Sequence, residues 1–438
     1  MRYWAVLVCF GLVTLAINCG SPSHGPASDS SGASSIQTGG ASDEQGVEAD
    51  GTRPSPITPE TAQKPGSGTG DIDRLSKAIQ ANPTDVDALV DRALAYFGMG
   101  DLQNAVKDLD KAALLDPNRP QIFNYRGLSH HYLGMFRQAI EDFTRAIELD
   151  GDYADAYVNR GNTQQAIHQY VSAIEDYDKA LRLQPDWALA YSNRGNAYRA
   201  RIQYDQAFED YSRAISLDSR LTHPIYNRGA TFLQLGELDK AIEDFSATIR
   251  LDPNHVQAYF DRGTAYVKLG RLDTAIADFD RVVELDTAHP GAYRSRGTVY
   301  LTMGNYQSAL EDLDAAVRLE PTDVDARRHR SLANLGLGRY REAVQDLDIV
   351  LEQSPDDTLA HALRGASLLQ LAQYERALND FDRVIALGQG DSKTYANRAR
   401  GHALLGNRSD ALEDAERAIS MGYDSSLLSE IERAQSSR

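Results

Sequence analysis

Apolar, small and charged residues recur along this chain at a fixed interval of 34 positions. From Val86 to Ser425 the interval repeats ten times, and an arginine, an alanine and an aspartate stand at the same place in every unit. We number the positions of each unit from 1 to 34, with Val86 as position 1 of the first unit. Many units have aromatic residues at positions 4, 11, 17 and 24 and small residues at positions 8 and 20, a pattern that fits two helices packed closely together. The invariant alanines are Ala105, Ala139, Ala173, Ala207, Ala241, Ala275, Ala309, Ala343, Ala377 and Ala411.

Glycine and proline mark the ends of these helices. Seven units have glycine at position 15, where a left-handed residue would stop the first helix, and several have proline at position 32, which would end the second. His168, Ile202 and Ala372 replace the glycine in the other three units, so the pattern does not predict their turn. The glycines are Gly100, Gly134, Gly236, Gly270, Gly304, Gly338 and Gly406.

Both ends of the array carry a partial unit. Residues 71–85 place Leu75, Ala78 and Pro83 in register with a second helix, and residues 426–438 begin with a short polar helical segment. We therefore expect ten units over residues 86–425, covered by a capping helix at each end, as the terminal units of a stacked array require.

The 34-residue unit resembles the tetratricopeptide repeat. In the unit that starts at Ala154 the residues of that family's pattern are Tyr157, Gly161, Ala173, Tyr177 and Ala180. The resemblance implies an all-α fold, a right-handed superhelical solenoid of antiparallel helix pairs.

Arginine at position 7 and aspartate at position 23 occur in all ten units. A catalytic pair occurs once per site, so ten copies indicate a repeated architectural ion pair between helices. The sequence does not decide whether Arg160 pairs with Asp176 of its own unit or with Asp142 of the preceding one. The structural set includes Arg160, Asp176, Arg194, Asp210, Arg228 and Asp244.

The resemblance also implies a binding groove. In this family the first helix of each unit lines the concave face, where extended peptides bind. An asparagine-rich face could bond to a peptide backbone without demanding one side chain, although these asparagines could equally be solvated or bond to nearby backbone. The predicted groove residues are Asn159, Asn162, Asn193, Asn196, Arg199, Tyr226, Asn227, Arg294 and Arg328.

The charges at the groove positions nearly cancel, but the last four units carry an excess of bases. Arg294, Arg328, Lys393 and Arg400 stand there against Asp325 alone. This distribution predicts that the C-terminal half of the groove favours an acidic or carboxylate-bearing partner.

The first 70 residues have a different character. Arg2 and the apolar run from Trp4 to Ile17 are typical of an export signal, which we assign to residues 1–18. The end of this run resembles the lipobox of bacterial lipoproteins, which implies lipid attachment at Cys19; plain secretion is the alternative. Of residues 20–70, 31 are Gly, Ser, Pro or Thr, so residues 19–70 are predicted to be a flexible linker behind the anchor.

Composition narrows the function. The chain of 438 residues has 63 acidic and 45 basic residues, a net charge of -18, which argues against nucleic acid as the main partner. No metal-binding or phosphate-binding motif appears, and the repeats leave no length for a catalytic domain, so we expect neither a cofactor nor an enzyme. The prediction is an exported, membrane-tethered scaffold that binds other proteins or extended peptides in its groove. The alternative is an assembly factor for an envelope complex that acts through its convex face, its ends or self-association.

Overall fold

The structure, a computed structural model, describes residues 69–436, which form 22 α-helices with no strand among them. The described chain divides into two compact bodies, an N-terminal body of residues 69–258 and a C-terminal body of residues 259–436. Consecutive helices pack against one another from Thr69–Ala81 to Leu238–Leu251 in the N-terminal body and from Leu272–Leu285 to Ser426–Ser436 in the C-terminal body. The predicted all-α fold of stacked helix pairs is confirmed.

Ten helices are the first helices of the 34-residue units. They are α2 (Val86–Gly98), α4 (Pro120–Tyr132), α6 (Ala154–Ala166), α8 (Ala188–Ala200), α10 (Thr222–Gln234), α12 (Val256–Lys268), α14 (Pro290–Thr302), α16 (Val324–Gly336), α18 (Thr358–Gln370) and α20 (Ser392–Leu405). The second helices are α3 (Leu102–Leu115), α5 (Phe136–Leu149), α7 (Tyr170–Leu183), α9 (Tyr204–Leu217), α11 (Leu238–Leu251), α13 (Leu272–Leu285), α15 (Tyr306–Leu319), α17 (Tyr340–Gln353), α19 (Tyr374–Ala386) and α21 (Arg408–Ser420).

Two further helices lie at the ends of the described chain. Helix α1 (Thr69–Ala81) buries Leu75 and Ile79 against the first unit. Helix α22 (Ser426–Ser436) buries Leu427 and Ile431 against the last one.

The turn between the two helices of a unit has a left-handed residue at position 15 in all ten units. The seven glycines at position 15 have φ between 71° and 93°. His168, Ile202 and Ala372 adopt the same left-handed conformation at φ 60°, 61° and 57°. The sequence did not predict these three turns, since a residue with a Cβ atom is strained there. The packing of the flanking helices therefore imposes the turn.

Small residues set the distance between the helices of a pair. All ten alanines at position 20 are completely buried. A Cβ atom added to Gly161 would lie 2.9 Å from the Tyr177 ring and 3.2 Å from the carbonyl oxygen of Ala173. Because the Tyr177 ring is itself fully buried, it has no room to move aside, and the glycine is a packing requirement.

Candidate functional site

The repeated arginine joins three helices. Arg160 donates from Nε and Nη2 to both carboxylate oxygens of Asp176, at 2.8 and 2.7 Å, so the pair lies within one unit. Its Nη1 donates to the Thr144 hydroxyl on the preceding second helix at 3.0 Å. The equivalent pair forms in all ten units, including Arg194 with Asp210 and Arg228 with Asp244.

The pair is largely shielded from water, and this affects its titration. The hydrogen bond to Asp176 raises the pKa of the Arg160 guanidinium. Burial raises the pKa of the Asp176 carboxyl, although the hydrogen bond and charge of Arg160 oppose that rise. The arrangement holds helices together and presents neither group to a substrate.

The sequence contained a signal for the third partner that the initial pattern missed. In eight units the residue two positions after the invariant aspartate is an aspartate, serine or threonine that accepts a hydrogen bond from the arginine of the next unit. These acceptors include Asp110, Thr144, Asp178, Ser212, Asp280, Asp314, Asp348 and Asp382.

The predicted asparagine ladder is buried, which corrects its assignment as an open binding surface. Asn162, Asn193 and Asn196 are each 1% exposed. Asn193 donates to the side-chain oxygen of Asn162 at 2.9 Å, and Asn227 donates to that of Asn196 at 2.8 Å. The first helices stack so closely that these amides bond to one another instead of facing a peptide, although Nδ2 of Asn196 has no hydrogen-bond partner within the described residues.

Two further predicted groove residues are also buried. Asn159 donates to the side-chain oxygen of Asn124 at 3.0 Å, and both lie in the interface between α4 and α6. The Tyr226 ring is 8% exposed and lies with its centre 4.9 Å from that of His255. Of the predicted residues in the N-terminal body, Arg199 on α8 remains partly exposed.

Three of the four predicted bases in the C-terminal body pair with carboxylates that the groove positions did not include, among them Arg400 with Glu430 at 2.7 Å. Arg294 donates to Asp323 at 2.6 Å, and Arg328 donates to Asp357 at 2.7 Å. Each aspartate directly precedes a first helix and also caps it. The prediction of an acidic partner for this half therefore loses most of its premise, because the chain itself supplies carboxylates to three of the four bases.

Two histidines on first helices are held neutral by burial. The ring of His131 lies 2.9 Å from the Thr163 hydroxyl, and that of His329 lies 3.2 Å from the Thr298 hydroxyl. Burial lowers the pKa of each imidazole to about 4. In the described chain no cluster of three His, Cys, Asp or Glu side chains could hold a metal ion.

Part of each first helix stays open to solvent after stacking. Tyr132 at the end of α4 is 46% exposed, and Gln121 on α4 and Arg199 on α8 are partly exposed. Neighbouring first helices contact one another directly, as α4 does with α6. These exposed residues form what we call the first-helix face.

The described residues form an array of similar helix pairs, and their repeated ion pairs and amide hydrogen bonds join neighbouring helices. Such an array is a repeat scaffold. The chain belongs to the tetratricopeptide repeat family, whose models match residues 86–119, 120–153, 154–186, 188–220, 226–292, 294–358 and 329–393. Tetratricopeptide arrays are protein-interaction scaffolds, so the class of partner is other proteins or peptides.

Several solved structures are similar to parts of the chain. YrrB, described as a tetratricopeptide protein with an unusual peptide-binding site, is 30% identical over 43% of this chain and 96% of its own, with a TM-score of 0.38. A repeat protein from Parabacteroides merdae is 22% identical over 57% and 98%, with a TM-score of 0.42. PilF from Pseudomonas aeruginosa is 20% identical over 48% and 95%, with a TM-score of 0.44. No curated protein sequence matches the chain.

Proposed function

We propose that this protein is a non-enzymatic scaffold of the bacterial cell envelope that binds extended segments of partner proteins along its first-helix face. The observation that supports this is the set of side chains left exposed on the first helices, such as Tyr132, after the asparagines are buried between them. An extended segment lying across several units would contact one or two of these residues per unit, as repeat arrays allow.

Anchorage at Cys19 is part of the proposal and rests on the sequence, since Cys19 lies outside the described residues. Within residues 69–436 no helix combines the length and apolarity that a bilayer crossing needs. Metabolic labelling with a palmitate analogue tests the anchor. The full chain should be labelled and sediment with membranes, and Cys19→Ser should abolish the label and release the protein. Retention of Cys19→Ser at the membrane without label would contradict a lipid anchor.

Photo-crosslinking in cells tests the binding face. A photoreactive amino acid is placed at Tyr132 or Gln121 on the first-helix face, and at Glu141 or Glu175 on the exposed side of the second helices. We expect the same partner adduct from both first-helix positions and a much weaker one from the second-helix positions. Adducts from Glu141 and Glu175 alone would instead support an assembly factor that acts through its outer face.

A further inference from the structure

A second recurring contact joins five of the first helices to the start of the next one. The fifth residue of a first helix lies against the residue that precedes the next first helix, 29 positions later. Five such pairs interact, and the two side chains are chemically matched in each. They are Asn124 with Tyr153, Tyr226 with His255, Phe260 with His289, Arg294 with Asp323, and Arg328 with Asp357.

The pairs fall into distinct chemical classes along the array. The ring centres of Phe260 and His289 lie 5.1 Å apart, tilted at 33°. At the next boundary Arg294 donates to Asp323 at 2.6 Å, and the carboxylate is only 6% exposed. If Phe260 faced an aspartate instead of His289, the carboxylate would lie against an aromatic ring, and its negative charge would have no positive partner.

Helix capping does not explain which residue precedes each first helix. Asp323 accepts a hydrogen bond from the backbone of Ala326 at 2.9 Å, and His289 accepts one from Ala292 at 3.0 Å. Both residue types therefore cap their helix. At these two boundaries the choice between aspartate and histidine matches the residue 29 positions earlier, Arg294 for Asp323 and Phe260 for His289.

We infer that these pairs specify which units stack as neighbours. Tandem units of equal length with similar cores can associate out of order, a characteristic failure of repeat proteins. If the unit that starts at Pro290 were skipped, Phe260 would meet Asp323 instead of His289. The mismatch penalises that arrangement and leaves the native order favoured.

An exchange of one pair class for another tests the inference in the full chain. Arg294→Phe with Asp323→His recreates the pair of Phe260 and His289 one boundary later, and the histidine preserves the cap. Each single variant should show roughly tenfold faster amide exchange in α14 and α16, and the double variant should recover most of that loss. If the double variant instead shows the sum of the two single effects on amide exchange, the two side chains do not form a matched contact and the inference is overturned.

Refolding separates unit order from stability. After dilution from urea, Asp323→His should regain native exchange protection in a smaller fraction of molecules than the wild type, and the double variant should restore that fraction. Complete refolding of both single variants, despite their faster exchange, would show that the pairs stabilise the array without specifying its order.

Discussion

The side chain of Asn193 donates a hydrogen bond to the side-chain oxygen of Asn162, one unit earlier, across 2.9 Å. The Tyr177 hydroxyl donates to the same oxygen at 2.7 Å. One oxygen thus joins α6, α7 and α8 in an interior that excludes water. Since a buried donor that loses its acceptor costs about 1–3 kcal/mol, these residues matter for folding.

Replacement of Asn162 by leucine should therefore destabilise the array. Asn162→Leu leaves the donors of Tyr177 and Asn193 without this acceptor, and we expect a loss of about 1–3 kcal/mol by urea denaturation. The double variant with Tyr177→Phe should recover part of it, because Leu128 and Phe143 already occupy these positions in an earlier unit. Gln206→Ala, at an exposed position, is the control. If Asn162→Leu lowers the stability no more than this control does, Asn162 is not part of a buried hydrogen-bond network.

Removal of one invariant aspartate should lower the stability of the protein more than Asn162→Leu does. Asp176→Ala leaves the Arg160 guanidinium, which is 19% exposed, without its bidentate partner. We expect a loss of about 3–5 kcal/mol, the usual result of breaking a shielded pair. Glu148→Ala is the matched control, because it breaks the exposed pair with Arg145, whose side chains are 43% and 59% exposed. That change should cost no more than about 0.5 kcal/mol, and equal effects would show that the invariant pair is not structural.

Glycine at one of the strained turns should stabilise the protein. Ala372 holds φ 57°, a conformation that disfavours a residue with a Cβ atom. Ala372→Gly should raise the stability by about 1 kcal/mol. The control Ala277→Gly, on the exposed side of α13, should lower it by about the same amount. Thermal unfolding compares the two, and destabilisation by both would contradict strain at the turn.

The partly buried histidines make the stability of the protein depend on pH. Burial lowers the pKa of His329 to about 4 in the folded protein, while an unfolded chain titrates near 6.5. The unfolded state therefore binds more protons between these values, and the contribution of His329 is lost as the pH falls from 6.5 towards 4. At pH 5 the stability lost through His329 is at most about 2 kcal/mol.

A variant without the imidazole isolates that contribution. His329→Gln should lose less stability than the wild type between pH 7.5 and pH 5, as measured by urea denaturation at each pH. His223→Gln, at an exposed position, should follow the wild type. An identical decline in His329→Gln and the wild type would show that His329 does not carry this pH dependence.

The sequence predicted the helix pairs because each unit repeats the same buried alanine and the same ion pair. It could not predict the fate of the asparagines. Whether Asn193 faces solvent or Asn162 depends on how closely consecutive first helices stack, and the 34-residue period does not fix that distance. Counting charges by position likewise missed Asp323, because it lies outside the first helix and reaches back to Arg294.

The left-handed turns show a similar limit. Glycine marks seven of them in the sequence, but His168 and the other two exceptions are held there by the helices on either side. Local preference yields to packing at those positions, and only the three-dimensional arrangement reveals it.

The affinity of the crosslinked partner segment for two matched variants tests the proposed scaffold most directly. One combines Gln121→Ala, Tyr132→Ala and Arg199→Ala on the first-helix face; the other combines Glu141→Ala, Glu175→Ala and Glu209→Ala on the exposed side of the second helices. With native helicity verified in both, calorimetry should show binding at least about tenfold weaker for the first variant, a loss of about 1.4 kcal/mol, and wild-type binding for the second. Wild-type affinity in the first variant together with weakened binding in the second would contradict capture along the first helices.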